Sequence, residues 1–177
     1  MRRLRGRSGM TLVESTFALM LTVMICTALW GVSTFVQRLR AQDRIQIQIT
    51  DKTRMAMERI LWGFTATNDP NAQRDGVREA ATFQVQDGGA RLTFTDSNAV
   101  ARQIRLNGTS IEYTEPGLPQ GWVTLYAPSA TAAASTTLKF SVSNNAPDVV
   151  VVELVIGQRV RERWFYASLQ SKVMVRN

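Results

Sequence analysis

The architecture of this 177-residue chain is decided by residues 9–37, which read GMTLVESTFALMLTVMICTALWGVSTFVQ. A single glutamate, Glu14, stands near the start, and no charged residue follows it from Ser15 through Gln37. As an α-helix, the 22 residues from Ser15 to Val36 would extend for about 33 Å, more than the roughly 30 Å hydrocarbon core of a bilayer. We therefore expect a transmembrane helical half over residues 10–36.

The positive charge of the chain is concentrated before this stretch. The whole sequence has 21 Lys and Arg against 14 Asp and Glu, a formal charge of +7. Residues 10–177 retain 17 basic and 14 acidic side chains, a difference of +3, because four arginines lie in residues 1–9. The basic balance is mainly a property of the tail and does not by itself indicate a nucleic-acid-binding protein.

Several classes of chemistry lack their usual residues. The chain has no histidine and one cysteine, Cys26, which excludes a His-based triad, an imidazole metal site and an intramolecular disulfide. We find no Gly-rich phosphate loop or catalytic serine constellation, and expect no enzyme activity, cofactor or metal. The loop aspartates do not have the spacing of a calcium loop; they are Asp69, Asp75, Asp87, Asp96 and Asp148.

A removable secretory signal peptide is the alternative to a permanent transmembrane helix. Gly31 and Ser33 provide small residues at the positions that precede an ordinary cleavage site, so that cleavage would release a soluble product. The apolar stretch continues past that site, and Glu14 is awkwardly placed between the basic tail and the apolar run. The transmembrane interpretation is favoured.

Glu14 needs an explanation because a carboxylate at the membrane end of an apolar helix is costly. One explanation places it at the water interface, where it complements the positive N-terminal end of the helix. The other invokes proteolysis, since cleavage between Gly9 and Met10 would create an α-amine four residues before Glu14. That cation could neutralise the carboxylate within one helix or between neighbouring helices.

The basic leader, Gly9 and the following residues resemble the class III signal of type IV prepilins. Gly9, Thr11, Leu12 and Glu14 match the family pattern in register, whereas Met10 and Val13 stand where Phe and Ile are commonest.

This resemblance implies a prepilin leader over residues 1–9, cleavage after Gly9 by a prepilin peptidase and methylation of Met10. It implies that Glu14 aids docking onto a neighbouring subunit. It further implies a bacterial inner-membrane protein with a cytoplasmic leader, a periplasmic or extracellular C-terminal domain and an inner-membrane assembly platform as a partner.

The rest of the chain predicts an α+β, pilin-like fold. Residues 37–66 have the periodicity of an amphipathic helix, and 67–80 read as a connecting loop. Residues 81–177 predict an antiparallel β-domain, with a type I′ turn at Asn107-Gly108 and a flexible loop over 129–137. The expected strands are 82–86, 91–95, 100–106, 110–114, 122–126, 138–143, 149–156, 161–169 and 172–175.

These features predict a noncatalytic minor pseudopilin or minor pilin of a type II secretion pseudopilus or type IV pilus, in an initiating or tip complex. Its expected partners are other pilins or pseudopilins and membrane lipid. The closing residues 171–177 weakly resemble J-type minor pseudopilins and W-type minor pilins, while Glu14 argues against the K-type. The alternative is a membrane-anchored DNA- or ligand-binding module. Its basic patch would be three arginines expected on one strand face, although a solvated face is favoured: Arg159, Arg161 and Arg163.

Overall fold

A computed structural model describes residues 11–66, 69–96, 98–118, 121–129 and 133–175. The chain divides into two compact units, Met1–Arg44 and Ile45–Asn177. Helix α1 spans Leu12–Trp62 and contributes to both units. The prediction that the apolar and amphipathic parts form one long helix is confirmed.

The first unit presents its apolar side chains outward. Every large apolar residue between Leu12 and Phe35 is more than half exposed. This part of α1 is long and apolar enough to cross a membrane. Such a surface is typical of a helix whose environment is lipid or other apolar helices, since soluble proteins rarely expose so large an apolar patch.

In the second unit, α1 buries one face against the β-domain. Its buried residues recur at the spacing of an α-helical face; they are Ile49, Thr53, Ala56, Met57, Ile60 and Leu61. The alternating Ile and Gln residues from 45 to 49 are helical, as expected from their surroundings. The long N-terminal helix packed on antiparallel sheets confirms the predicted α+β, pilin-like fold.

The helix ends at Trp62 instead of residue 66, because Gly63 changes the direction of the backbone. Gly63 has a φ of 85°, a conformation that favours glycine, and a Cβ there would collide with the carbonyl oxygen of Arg74. Strand β1, Gly63–Ala66, then pairs with β2, Asp69–Asp75. The loop predicted over 67–80 is thus corrected to include β2 and a 3₁₀ turn at Val77–Glu79.

The remaining strands form two antiparallel meanders in which sequential strands are neighbours. The five-stranded sheet contains β3 Ala80–Gln86, β4 Arg91–Asp96, β5 Ala101–Asn107, β6 Ser110–Thr114 and β7 Val123–Tyr126. The three-stranded sheet has the order β10-β9-β8, with bounds β8 Ala134–Ser143, β9 Ala146–Val160 and β10 Arg163–Met174.

One hydrophobic core joins both meanders to the C-terminal part of α1. Every second residue of a strand points into this core, because successive side chains point to opposite faces of a sheet. Each fully buried large aliphatic or aromatic side chain contributes about 1.5–3 kcal/mol relative to exposure. The largest buried side chains are Tyr113, Phe94, Phe140, Ile49, Ile60, Leu92, Ile104, Ile111, Leu154 and Ile156.

Two local predictions in the β-domain are corrected. The β5–β6 hairpin exists, but its central residues are Gly108 and Thr109, because Asn107 pairs with Ser110. Only Gly108 has a positive φ, 61°, which is the pattern of a type II′ turn. The flexible loop predicted over 129–137 is too long at its C-terminal end, since β8 begins at Ala134 and Thr136 pairs with Ile156 of β9.

Candidate functional site

The start of α1 is fixed by a reciprocal pair of side-chain contacts. The backbone N–H and the hydroxyl of Thr11 both donate to Glu14 Oε2, at 2.9 and 3.0 Å. In return, the backbone N–H of Glu14 donates to Thr11 Oγ1 at 3.3 Å, and the Thr11 carbonyl accepts from the N–H of Ser15. This is a capping box, in which a Thr and a Glu three residues apart satisfy each other's backbone donors.

The capping box gives Glu14 a partner that the sequence interpretation did not identify. The Thr-x-x-Glu spacing at residues 11–14 was the signal that could have found it. Among the described residues, only Oε2 of this carboxylate accepts hydrogen bonds, so Oε1 remains available. Leu12 and Val13, between the two capping residues, are exposed, and Gly9 and Met10 lie outside the described residues.

The three arginines near residue 160 do not share one strand face, so that prediction is wrong. Arg159 lies in β9, Arg161 lies in the two-residue turn after it, and Arg163 begins β10. Arg159 pairs with Trp164, whereas Arg163 pairs with Val160, and successive residues of a strand point to opposite faces. The chain reverses at Arg161 because β9 continues to Val160 and then forms a hairpin.

Arg161 has an unusual backbone conformation, with a φ of 58°. Arg161 is the first of the two central residues of the hairpin turn, and glycine is usual at that position when its φ is positive. A side chain there costs about 1–2 kcal/mol relative to a right-handed conformation. The hairpin therefore holds an exposed guanidinium at its tip at some cost in stability.

An aromatic pair lies beside this turn, on the outer face of β10. The rings of Trp164 and Tyr166 stack with centroids 5.7 Å apart and an interplanar angle of 15°, and both side chains are exposed. Gly157 is opposite Tyr166, and a Cβ at Gly157 would collide with the tyrosine ring. We name Arg159, Arg161, Trp164 and Tyr166 the hairpin patch.

A buried ionic cluster, which we name the Arg102 cluster, links separate strands of the β-domain. Arg102 bonds Asp96 at 2.6 Å, Asp75 at 2.9 Å and Glu115 at 3.1 Å. Arg74 also pairs with Glu115, and the Tyr113 hydroxyl donates to Glu115 Oε2 at 2.7 Å. The sequence interpretation treated Asp75 and Asp96 as unrelated loop residues, and only the strand pairing brings them together.

Burial and hydrogen bonding oppose each other in setting the pKa of these groups. Burial raises the pKa of Asp96, but the backbone N–H of Val100 and the Arg102 guanidinium outweigh it and leave the pKa below its ordinary value. Burial raises the pKa of Tyr113 to about 12, against the smaller opposing effects of Arg102 and Arg74. Both groups are therefore held in one protonation state at neutral pH, Asp96 charged and Tyr113 neutral.

The acidic residues do not assemble a metal site in the described part of the chain. No group of three or more Cys, Asp or Glu side chains there is placed to hold an ion. Asp75 and Asp96 face Arg102, while Asp87 pairs with Arg91 at 3.1 Å. Cys26 is a free, exposed thiol on the apolar part of α1.

An open groove lies at the C-terminal end of α1. It has a volume of about 340 Å³ and is lined by residues of mixed character, Met55, Glu58, Arg59, Trp62 and Gly63. The Arg78 guanidinium covers the Trp62 ring at 3.8 Å, and Glu58 is paired with Arg54. The guanidinium of Arg59 donates to the carbonyl oxygen of Leu125 at 2.9 Å, so the charged side chains that line the groove already have partners within the protein.

Comparisons with known proteins identify no relative. No protein-family model, curated protein or solved structure matches this chain. The structure itself defines an α+β protein with an apolar N-terminal helix of membrane-crossing length. A function must therefore be proposed from the residues and their geometry.

Proposed function

We propose that this protein is a noncatalytic minor pseudopilin or minor pilin, an assembly subunit processed by a prepilin peptidase. It would serve a type II secretion pseudopilus or a type IV pilus, within an initiating or tip complex. The main supporting observation is the apolar part of α1, whose large side chains from Leu12 to Phe35 are all more than half exposed. A helix of this kind, continuous with one that packs on a β-domain, suits a subunit that exchanges lipid contacts for contacts with other helices.

The geometry of the capping box supports a docking role for Glu14. Its Oε2 atom is occupied by Thr11, and its Oε1 atom accepts no hydrogen bond from the described residues. After cleavage at Gly9, a methylated amine on Met10 of a neighbouring subunit could donate to Oε1. A charge-assisted hydrogen bond between these groups would be strong in an apolar surrounding.

The proposed assembly route defines the other partners. The precursor is inserted in the bacterial inner membrane, with residues 1–9 in the cytoplasm and the β-domain in the periplasm or outside the cell. Membrane lipid covers the apolar helix first, and helices of other pilins or pseudopilins replace it after extraction by the assembly platform. Van der Waals packing and hydrogen bonds drive such helix association, since lipid tails are as apolar as the helix.

Replacement of Gly9 tests the processing step. Gly9→Asp should leave a precursor of unreduced mass in cells that contain the peptidase, whereas the native chain should begin at a methylated Met10. Ser33→Leu serves as the control, because a bulky residue before Thr34 blocks secretory cleavage and should leave prepilin processing unchanged. Intact-mass and N-terminal analysis distinguish the outcomes. A Thr34 start in the native chain, or normal processing of Gly9→Asp, would refute the proposal.

A pair of variants separates the two roles of Glu14. Glu14→Ala removes both the cap and the free Oε1 atom, whereas Thr11→Ala removes only the capping partner. We expect both variants to be cleaved, and only Glu14→Ala to be lost from the recovered filament or secretion complex. Equal loss of the two variants would show that Glu14 acts only as a helix cap, and full recovery of Glu14→Ala would remove its proposed docking role.

A further inference from the structure

We infer that the hairpin patch (Arg159, Arg161, Trp164 and Tyr166) binds an acidic segment of a partner protein. The patch lies on the β9–β10 hairpin, at a distance in sequence from the apolar helix on which the proposed function depends. The inference does not require a filament, since any partner with the right charge and shape could occupy the patch.

The charge of the patch is uncompensated. Among the described residues, neither Arg159 nor Arg161 forms an ion pair, whereas Arg54, Arg91 and Arg105 are each paired with a carboxylate. Glu162 is the only acidic residue in the turn, and it forms no ion pair there either. Two exposed guanidiniums without carboxylate partners are complementary to an acidic surface.

The backbone at Arg161 has a positive φ that it shares, among the described non-glycine residues, with Asp87 and Ala99. Glycine would fit the φ of 58° at this position without strain. The hairpin instead places a guanidinium there, in the same turn that brings Trp164 opposite Arg159. Residues that the surrounding structure holds in such conformations cluster at binding and other functional sites.

The aromatic residues supply the apolar part of a protein interface. Trp164 is 41% exposed and Tyr166 is 51% exposed, although they are among the largest apolar side chains of the β-domain. Trp, Tyr and Arg are the residue types enriched at the centres of protein interfaces. The stacking of the two rings and the contact of Tyr166 with Gly157 hold this surface in one conformation before a partner arrives.

The same contacts favour a protein over a single-stranded nucleic acid. Nucleic-acid platforms present open aromatic faces on which successive bases stack, along a groove of several cations. Here the Trp164 and Tyr166 rings stack on each other, and Tyr166 also lies against Gly157, so few ring faces are open. Arg163 belongs to the opposite strand face, which leaves two arginines in the patch.

The test uses the full-length chain in detergent micelles and a fluorescently labelled, glutamate-rich peptide that contains leucine. Native protein should bind this peptide, and Arg161→Gly and Trp164→Ala should each weaken the affinity about tenfold, the loss expected for an interface hot spot. Arg163→Gln is the matched control, because it removes one positive charge from the other face of the hairpin. We expect it to change the affinity by less than about twofold.

Thermal unfolding shows whether a loss of binding reflects a loss of structure. Arg161→Gly should raise the midpoint of unfolding while it weakens peptide binding, because glycine fits the turn better. The inference is overturned if the peptide does not bind, or if Arg163→Gln weakens binding as much as Arg161→Gly. It is also overturned if an oligodeoxythymidine of the same net charge binds more tightly than the peptide at the same salt concentration.

Discussion

The two compact units of the chain differ in whether their apolar side chains are exposed or buried. In the first unit, Ile25 of α1 is 58% exposed, and its large apolar neighbours are exposed as well. In the second unit, Ile60 of the same helix has no exposed surface and belongs to the core of the β-domain. One helix therefore contains an exposed apolar part and a part whose apolar face is buried in the core of the β-domain.

This difference shows where the stability of each unit originates. The β-domain buries its own aliphatic and aromatic residues and surrounds Arg102 with carboxylates, so its folding free energy comes from internal contacts. The apolar half of α1 gains little from the rest of the chain, since none of its most apolar window is buried. Its exposed apolar surface is of the kind that lipid or other apolar helices cover.

The largest expected effect in this comparison comes from Arg102. Arg102→Met would leave the buried Asp96 without its cationic partner and the buried Glu115 with Arg74 alone. We expect it to lower the free energy of unfolding of the β-domain by about 3–5 kcal/mol, which is the cost of removing one partner of a buried ion pair. Urea unfolding of the full-length chain in detergent micelles, followed by circular dichroism, measures this loss.

Arg91→Met provides the matched control for that variant. Arg91 pairs with Asp87 at the surface, where the side chains are 35% and 57% exposed. Its removal should cost about 0–1 kcal/mol, because water screens an exposed pair. Similar losses from the two variants would contradict the stabilising role of the Arg102 cluster.

A matched substitution on α1 tests the comparison itself. Ile60→Ala would leave a cavity in the β-domain core and should lower its free energy of unfolding by about 2–5 kcal/mol. Ile25→Ala changes the same residue type on the same helix, but at an exposed site, and should change that free energy by less than about 0.5 kcal/mol. The same urea titration measures both. A large effect of Ile25→Ala would show that the apolar half of α1 contributes to the stability of the β-domain.

The smallest expected effect is a loss of stability at alkaline pH through Tyr113. Burial raises its pKa to about 12, above the value of about 10 in an unfolded chain. The neutral hydroxyl therefore stabilises the folded state below about pH 10, and this stabilisation is lost as the pH rises through about 12. Tyr113→Phe should make the alkaline decline of the unfolding midpoint shallower. An equally steep decline in the phenylalanine variant would show that ionisation of Tyr113 does not cause the alkaline loss of stability.

The sequence predicted those features that depend on local patterns. The uncharged run after Glu14 predicted the apolar half of α1, and alternation between turn residues predicted most strands of the β-domain. The predictions from the sequence are wrong where a contact with a residue further along the chain outweighs the local composition. The helix ends before Gly63 because the backbone of Arg74 lies against that glycine, and the mostly polar residues of β2 pair with β1 although their types are typical of loops.

The Arg102 cluster and the hairpin patch could not be predicted for a different reason. Asp75, Asp96 and Glu115 lie on separate segments, and their convergence on Arg102 depends on strand register, which a single sequence leaves open. The alternation of arginines at every second residue continues across the β9–β10 turn and predicts that Arg161 lies in a strand. Neither Gly nor Asn stands at the position where the chain reverses direction. No pattern in the sequence predicts a positive φ at an arginine.

The capping box has a consequence for the proposed cleavage after Gly9. Within the described part of the chain, the atoms that fix the start of α1 belong to residues from Thr11 onward. Cleavage after Gly9 would remove four arginines and none of these contacts. Precursor and product would share the same first helical turn, so a peptidase could act on a helix that has already formed without forcing it to refold.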